Sequence, residues 1–386
     1  MKILVFRYKS ICEPDVIESF KKLGIDVIEV WSEYGNNLKQ AVESVAKILQ
    51  EQVCMFVFSI NFHSFLADVC KILNVKYVSW VVDCPLPALF FPQVKYPNNK
   101  IFIFDRKQWE RVKGLNPGNI IYLPLGTNQS QNESVTSTIT DLERNIYTSD
   151  VSFVGSLYTE KCPYDVLNAL PEYEKAYLDA IVDAQTKIYG YNFCEEMITD
   201  RILEALRKHI PAYEVSPELE EYEKYLLAHI FLGAKVTVKE RIQLLRTLSE
   251  YYNVTLYTYK ETDFLPKVIN KGEVSSARHQ KVVFHLSKIN LNITTKPIMT
   301  GLSLRVWDVM GSGGFLMSNY QEEIEDYFVI GEDLEVFSSE EELVDKVGFY
   351  LKHDDIREKI ARNGYEKVRK YHNYDERIKQ MIAYLL

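Results

Sequence analysis

Short apolar segments alternate with amphipathic helical segments along the first 125 residues, and few architectures accommodate such an alternation. Strands are predicted at 2–7, 26–31, 54–59, 77–82, 100–104 and 120–123. Helices are predicted between them, among others at 13–23, 37–51 and 65–73. Strands joined by helices run parallel, and the helices cover both faces of the sheet. The pattern therefore predicts an α/β domain built on a parallel sheet that helices cover on both faces.

The alternation resumes after a polar interval. Residues 126–150 show no strong period, so we interpret them as a hinge or linker. Further strands are predicted at 151–154, 254–257, 282–284, 291–294, 315–317 and 334–337. We therefore predict an N-terminal α/β domain at 1–128, a linker at 129–150, a C-terminal α/β domain at 151–370 that carries a helical insert at about 163–249, and a C-terminal helix at 371–386.

Composition argues against several classes of protein. The 386 residues include 45 basic and 54 acidic side chains, and a net charge of −9 argues against a broad nucleic-acid surface. No apolar run approaches the ~18 residues of a membrane span, and the apolar part of MKILVFRYKS is too short for a signal peptide. The six cysteines are scattered without a CxxC pair, so we expect no zinc site and a reduced, cytoplasmic protein.

The segment GLSLRVWDVMGSGGFLMSN, residues 301–319, predicts a loop, a short helix, a glycine turn and a buried strand. Gly301 and Ser303 precede the helix, and Arg305 and Asp308 share one of its faces. The N–H groups at a helix start attract phosphate, and an acid one turn later can accept hydrogen bonds from a ribose diol. The segment therefore fits a nucleotide-sugar donor. An ordinary βαβ turn with a glycine-capped helix explains the same spacing.

Residues directly after predicted strands are the other candidates, because parallel α/β sheets bind ligands beyond the carboxyl ends of their strands. With two such domains, we expect the two sheets to face each other across a ligand-binding cleft. The candidate positions are Arg7, Asn61, His63, Asp83, Asp105 and Arg106 in the first domain, and Gly155, Ser156, Asn292 and the Gly301 loop in the second.

Several segments carry a family resemblance along nearly the whole chain. They are YVSWVVDCP (77–85), IFIFDRKQWE (101–110), YLPLGTN (122–128), DVSFVGSLY (150–158), LRVWDVMGSGGFLMSNY (304–320) and EEIEDYFVIGEDLEVFSSEEEL (322–343). In this order they resemble glycosyltransferases of the GT-B type, in the bacterial CgeB-like (spore maturation protein) group. The segment at 304–343 resembles the donor-binding half of many GT-B enzymes and is the most specific of them.

The resemblance implies two Rossmann-like domains with a sugar nucleotide between them and a reaction without an obligatory metal. No cofactor is expected beyond the nucleotide-sugar co-substrate, for which a UDP-sugar is favoured. Asp308 stands where many relatives have Glu, so the detailed pose of the ribose can differ. The Glu-x7-Glu pattern of some GT-B families has no clear copy in this chain, and a retaining mechanism of that style lacks support.

Without a metal, main-chain N–H groups and cations must stabilise the leaving diphosphate. We assign this role to the amides of Ser303 and Leu304, with Arg305 or Lys288. A plain turn at 155–156, a surface salt bridge between Arg305 and Asp308, and a solvated Lys288 are the simpler explanations. The predicted donor-binding set is Gly155, Ser156, Lys288, Asn292, Gly301, Ser303, Leu304, Arg305 and Asp308.

An inverting transfer needs a base for the acceptor hydroxyl, and Asp83 is the first candidate because it follows an apolar strand. Capping of a turn before Pro85 explains it equally well. His63 is the second candidate, although a lone histidine is more often packed. Asn61, Asp105 and Tyr189 are candidate acceptor contacts, and for Tyr189 core packing is the better explanation.

The sequence thus predicts a cytoplasmic glycosyltransferase that moves a sugar from a nucleoside diphosphate to an unknown glycan or protein acceptor. The helical insert would shape the acceptor pocket or form a homodimer contact. Two alternatives from other classes remain. One is an epimerase that acts on the sugar nucleotide itself, and the other is a catalytically silent module that binds nucleotide or a partner.

Overall fold

The computed structural model of the protein describes residues 1–31, 38–211, 213–274 and 276–385. The chain divides into two compact units, one formed by Met1–Asn128 with Tyr371–Leu386 and the other by Gln129–Lys370. Each unit contains a six-stranded sheet whose described neighbouring strands are all parallel. The predicted α/β class with two Rossmann-like domains is confirmed.

The sheet of the first unit has the strand order β2-β1-β3-β4-β5-β6, and the sheet of the second has β12-β11-β10-β7-β8-β9. The first six strands are β1 (Lys2–Arg7), β2 (Asp26–Trp31), β3 (Phe56–Ile60), β4 (Lys76–Val81), β5 (Asn99–Ile103) and β6 (Ile120–Tyr122). The other six are β7 (Ser149–Val154), β8 (Val254–Tyr257), β9 (Ile269–Asn270), β10 (Ser287–Asn292), β11 (Leu316–Asn319) and β12 (Glu335–Phe337).

Helices connect and cover these strands in both units. They are α1 (Glu13–Lys22), α2 (Leu38–Glu51), α3 (Ser64–Ile72), α4 (Arg106–Val112), α5 (Gln129–Thr136), α6 (Asp141–Tyr147), α7 (Glu172–Gln185), α8 (Asp200–His209), α9 (Glu223–Leu226), α10 (Gly233–Tyr251), α11 (Ala277–Leu286), α12 (Leu304–Gly311), α13 (Ile324–Tyr327), α14 (Glu340–Lys352), α15 (Asp354–Tyr371) and α16 (Tyr374–Ala383). The predicted first residue of the second helix, 37, and the last residue of the chain, 386, lie outside the described residues.

The last helix, α16, is part of the first unit although it follows the second unit in sequence. The buried Arg377 donates from Nε to the carbonyl oxygen of Leu125 at 2.9 Å. Gly126 lies so close to this region that a Cβ there would be 2.9 Å from the carbonyl oxygen of His372. The helix buries Ile378 and Met381 completely, so the first unit is assembled from both ends of the chain.

The segment predicted as a linker, 129–150, belongs to the second unit and contains α5, α6 and the first two residues of β7. A capping box starts α6, because the Thr140 side chain accepts from the Glu143 amide and the Glu143 side chain accepts from the Thr140 amide. The Nε of Arg278 in α11 donates to Glu143 at 2.9 Å and so attaches α6 to α11. Polar composition misled the prediction, since these helices are held by caps and ion pairs on their surfaces.

The strand predicted at 282–284 is wrong, because these residues lie in helix α11. Val282, Val283 and Phe284 are all buried, and three consecutive apolar residues suit a buried helix turn as well as a strand. The strand of this region is β10, which starts at Ser287. The strand therefore starts before Lys288, which lies within β10 and not in the loop before it.

The helical insert of the second unit has an apolar core of its own, which includes Leu167, Leu178, Leu206 and Leu227. Its loop at 188–190 reaches the sheet, where the ammonium of Lys296 donates to the carbonyl oxygen of Ile188 at 2.8 Å. Across the described part of the chain, no helix combines the length and apolar character needed to cross a membrane.

Candidate functional site

The carboxyl ends of β7 and β10 meet helix α12 in the second unit. Gly155 follows β7 with a φ of +148°, a conformation that side-chain-bearing residues rarely adopt. The guanidinium of Arg305 in α12 occupies the space beside it, so that a Cβ at position 155 would lie 2.9 Å from Arg305 Nη2. The same guanidinium lies 5.6 Å from the centre of the Phe153 ring in β7. The absence of a side chain on Gly155 thus leaves the space at the strand end that the Arg305 guanidinium occupies.

A second arginine, Arg241 of helix α10, reaches the same strand ends from a buried position. It donates from Nη2 to the carbonyl oxygen of Ile293 at 2.6 Å and from Nη1 to that of Ser156 at 2.5 Å. Its guanidinium also lies 5.2 Å from the centre of the Phe153 ring. Arg241 therefore ties the loop after β7 to the loop after β10 and brings a second positive charge to the place where they meet.

The two guanidinium groups bring two positive charges together at this point. Burial and the neighbouring charge of Arg305 lower the pKa of Arg241 to about 10. Burial also lowers the pKa of Arg305. Within the described part of the chain, neither side chain forms a salt bridge within 4.0 Å, and Arg305 Nε is buried without a hydrogen-bond partner. Because buried cations are costly without an anion, the arrangement favours binding of an anionic ligand.

Helix α12 adds main-chain donors to the same place. Its N-cap residue, Ser303, makes no side-chain capping bond, and its hydroxyl instead donates to Asn292 Oδ1 at 3.3 Å. The first-turn N–H groups, at Leu304 and Arg305, have no acceptor inside the helix and suit a phosphate. Asp308 lies one turn further along α12, partly exposed, and its charge acts on Arg305.

Three other predicted donor residues play internal roles. Asn292 is fully buried and donates to Thr294 Oγ1 and Ser318 Oγ, both at 2.9 Å, so it supports the loop from below. The Ser156 hydroxyl accepts from the Tyr158 amide at 2.8 Å and donates to Glu160. Gly301 is buried in the loop before α12.

The structure places Lys288 away from the other predicted donor residues. It is the second residue of β10, at the amino end of the strand, and its exposed ammonium pairs with Asp150 at 2.8 Å. Gly155 and Ser303 lie beyond the carboxyl ends. The prediction placed Lys288 in a loop because it started the strand at 291, and the observed start at Ser287 removes it from the site.

Tyr189 of the insert is also packed rather than presented to a ligand. Its half-buried ring meets the Phe337 ring edge-on at 5.9 Å, and the Lys296 ammonium lies 5.1 Å from its centre. The insert thus contributes Tyr189 to the core near the carboxyl end of β12.

In the first unit, Asp83 follows β4 and retains solvent access. Its Oδ2 accepts a hydrogen bond from the Asn61 amide nitrogen at 2.7 Å. Surrounding protein atoms raise the pKa of Asp83 by desolvation, and the bond from Asn61 works in the opposite direction. A carboxylate with a raised pKa and an open face has the chemistry of a general base.

Two further first-unit candidates, His63 and Asp105, have structural partners. The buried His63 ring lies between the rings of Phe6 and Tyr8, with Nε2 3.1 Å from the carbonyl oxygen of Ile60. Burial lowers the pKa of His63 to about 4, so the ring is neutral at pH 7. Asp105 is fully buried at the start of α4 and accepts from the Gln108 amide at 2.7 Å. The structure thus offers Asp83 as the accessible carboxylate of this set.

Arg241 is the residue that sequence reasoning missed. It follows Val238 by three positions and precedes Leu245 and Leu248 by four and seven, so it lies on the buried stripe of α10. A charged residue on an apolar helical stripe is the signal that could have identified it. Across the residues that the structure describes, no group of three or more His, Cys, Asp or Glu side chains is arranged to hold a metal ion.

Replacement of Gly155 by Ala should weaken binding of an anionic ligand by about tenfold, because the new methyl group displaces the Arg305 guanidinium. Titration with UDP by calorimetry measures this loss. Gly331→Ala is the matched control, since Gly331 also has a positive φ, of +80°, but open space around its Cβ position. The control should lose about 1–2 kcal/mol of stability through backbone strain and keep its affinity for UDP. Equal UDP affinity in both variants would contradict the proposal that the Arg305 guanidinium beside Gly155 binds the ligand.

A protein-family model matches the C-terminal part of the chain. Residues 239–383, which include Arg241, Arg305 and Asp308, match a protein-family model described as "Glycosyl transferase-like". No curated protein matches the sequence. The chain is similar in structure to a glycosyltransferase from Rickettsia africae ESF-5, with a TM-score of 0.58 and 9% identity over 99% of this chain and 97% of the other.

Two further solved structures bear the same likeness. Anabaena Alr3699/HepE in complex with UDP-glucose has a TM-score of 0.56 and 10% identity over 100% of this chain and 99% of the other. T4 phage BGT in complex with its UDP-glucose substrate has a TM-score of 0.52 and 10% identity over 100% and 98%. The protein has the GT-B fold. At these low identities the likeness establishes the fold, and the activity has to be argued from the residues.

Proposed function

We propose that this GT-B protein is a glycosyltransferase that moves a sugar from a nucleoside diphosphate to an acceptor hydroxyl, with a UDP-sugar as the favoured donor. The observation that carries the proposal is the pair of guanidinium groups of Arg241 and Arg305 beside Gly155 and the start of α12. UDP-glucose is bound by Anabaena HepE and T4 phage BGT, which share the fold. The match of residues 239–383 supports the same class of reaction.

In the proposed donor complex the diphosphate lies against Arg305 and the amides of Leu304 and Arg305. As the bond between the sugar and the diphosphate breaks, negative charge develops on the leaving oxygen. The fixed positive charges of the two arginines and the dipole of α12 stabilise that charge without reorganisation. This supply of positive charge by the protein supports a reaction that needs no metal ion.

Asp308 is proposed to bind the ribose. Its carboxylate lies one turn beyond the start of α12, on the same helix as Arg305, and can accept hydrogen bonds from both hydroxyl groups of a ribose. Asp83 is proposed as the base that removes the proton of the acceptor hydroxyl, so that the oxygen attacks the anomeric carbon as the diphosphate leaves. The reaction would then invert the anomeric configuration.

The further assignments rest on the sequence. The order of the motifs supports membership of the CgeB-like group, and the scattered cysteines support a cytoplasmic protein. A glycan or protein acceptor and a homodimer are part of the same proposal.

A panel of nucleoside diphosphates and their sugars tests the proposal by thermal shift, because a bound ligand stabilises the native state with its concentration. UDP and UDP-sugars should raise the melting temperature. UDP release that depends on added acceptor supports the transferase, whereas epimerised UDP-sugar without acceptor would support an epimerase. Binding without either product would support the silent module.

Asp308→Ala should weaken UDP binding by about tenfold while it leaves the fold unchanged, because two hydrogen bonds to ribose are lost. Calorimetry with UDP and with inorganic pyrophosphate separates the roles, since pyrophosphate lacks the ribose and should bind both forms alike. Asp345→Ala on the exposed surface of α14 is the control and should bind UDP normally. Unchanged UDP affinity in Asp308→Ala would remove the ribose assignment.

A further inference from the structure

Asn61 adopts a backbone conformation that is rare for a residue with a side chain. It directly follows β3, and its φ of +55° lies in the left-handed region. The residue is buried, its amide donates to the carbonyl oxygen of Trp80 at 2.8 Å, and its own carbonyl oxygen accepts from the Ser59 hydroxyl at 2.7 Å. This backbone is therefore held in place from β3 and β4, and it aims the Asn61 side chain at the segment after β4.

The hydrogen bonds of the Asn61 side chain fix which way its amide points. Oδ1 accepts from the amides of Val82 and Asp83, at 2.9 and 3.3 Å. A main-chain N–H can only donate, so the atom facing those amides must be the oxygen. Nδ2 therefore faces the other side, where it donates to Asp83 Oδ2 at 2.7 Å and to the Tyr8 hydroxyl at 2.8 Å.

These four bonds use the full hydrogen-bonding capacity of the Asn61 side chain, so it has none left for an acceptor molecule. The earlier assignment of Asn61 as an acceptor contact is thereby replaced. Asp83 is held through one oxygen and through its own amide, whereas its Oδ1 has no hydrogen-bond partner in the described part of the chain. That oxygen is the one that can meet a substrate hydroxyl.

We propose that Asn61 is a positioning residue for Asp83: it orients the carboxylate and holds it in the ionised form that a general base requires. The hydrogen bond that the Asn61 amide donates to Oδ2 is stronger when Asp83 is ionised than when it is protonated. The bond therefore favours the carboxylate form. The kinetic consequence of this inference rests on the proposed function, but the contact between Asn61 and Asp83 does not.

The nearby ionisable side chains of Tyr8 and His63 do not stabilise the carboxylate form of Asp83. Tyr8 comes from the segment after β1, and burial together with the charge of Asp83 raises its pKa above the usual range for tyrosine. His63 packs on Tyr8 and is neutral, since burial lowers its pKa to about 4. The desolvation of Asp83 itself raises its pKa, and the Asn61 bond opposes that rise.

Asn61→Gly tests the inference, because glycine adopts the left-handed backbone and removes only the side chain. Asn74→Gly is a matched control, since Asn74 has a φ of +53° and is exposed at the end of α3, away from Asp83. The carboxyl ¹³C signal of Asp83, identified by its loss in Asp83→Asn, is titrated in each variant without substrate. We expect the midpoint to move to higher pH in Asn61→Gly and to stay at the wild-type value in Asn74→Gly.

The pH profile of UDP release gives the second readout. In Asn61→Gly the acid limb of kcat/KM should shift to higher pH in step with the ¹³C midpoint. An unchanged ¹³C midpoint in folded Asn61→Gly would overturn the inference, whatever the enzyme does. A shifted midpoint in a protein that transfers no sugar would leave the contact established and overturn the proposed function instead.

Discussion

Asp83→Asn should lower turnover by on the order of 10²–10⁴-fold while UDP binding stays at the wild-type level. The amide cannot accept the proton of the acceptor hydroxyl, but it fills the same space and can still accept from Asn61 Nδ2 through its oxygen. Initial rates of UDP release measure the loss, and calorimetry with UDP measures binding. Asp26→Asn is the control, because the Asp26 side chain is 67% exposed and lies at the start of β2.

The pKa of Asp83 also predicts the direction in which Asp83→Asn changes the stability of the protein. Desolvation by surrounding protein atoms raises the pKa of Asp83, so the carboxylate form is destabilised in the folded protein and forms only at higher pH than in the unfolded chain. This group stabilises the fold fully below its unfolded pKa, and the contribution is lost as the pH rises through the folded pKa. At neutral pH the folded protein bears the cost of this charge. Asp83→Asn should therefore melt at the wild-type temperature or above it at pH 7.

Wild-type rates in Asp83→Asn would remove Asp83 from the mechanism. A melting temperature well below wild type at pH 7 would indicate a structural role instead, and lost turnover would then carry no information on the base. The combination of lost turnover, retained UDP binding and unchanged or higher stability is the result that supports the assignment.

Arg305→Ala should weaken UDP binding and turnover by on the order of 10²-fold, because the variant removes the guanidinium beside Gly155 that is proposed to meet the diphosphate. Without ligand, the variant should be at least as stable as the wild type, since it loses a desolvated charge next to Arg241. Thermal shift with and without UDP reports both effects in one experiment. An ordinary salt-bridged arginine would show the opposite pattern and lose stability in the free protein.

Two further variants sharpen this test. Arg305→Lys keeps the charge but lacks the planar donor fork, so UDP binding should recover in part. Arg246→Ala removes an exposed arginine from helix α10 and should bind UDP normally. If Arg305→Ala binds UDP as well as Arg246→Ala does, the diphosphate lies elsewhere and the donor assignment fails.

The fold class followed from the sequence because each strand of the first unit is a short apolar run between amphipathic helices. The sequence was less informative where tertiary contacts decide. Helix α6 in the predicted linker is stabilised by a capping box and by an ion pair with Arg278, and Arg278 comes from a distant segment. Val282 to Phe284 face the core from a helix, and three apolar residues do not distinguish the two periods.

The candidate site shows the same division. Local spacing placed Ser303, Arg305 and Asp308 on one helix start, since helical geometry is set by neighbouring residues. Arg241 lies far away in sequence and joins them only because α10 packs across the ends of β7 and β10. The link between Asn61 and Asp83 depends on the approach of the residue after β3 to the segment after β4, and these two segments are 22 residues apart in sequence.

The return of α16 to the first unit sets an order on synthesis. A ribosome releases residues 1–128 early, but the helix that covers them, with Ile378 and Met381, emerges only after the whole second unit. Domains commonly fold in the order in which they leave the ribosome. In this protein the packing of the N-terminal unit is therefore completed only after the second unit has been synthesised.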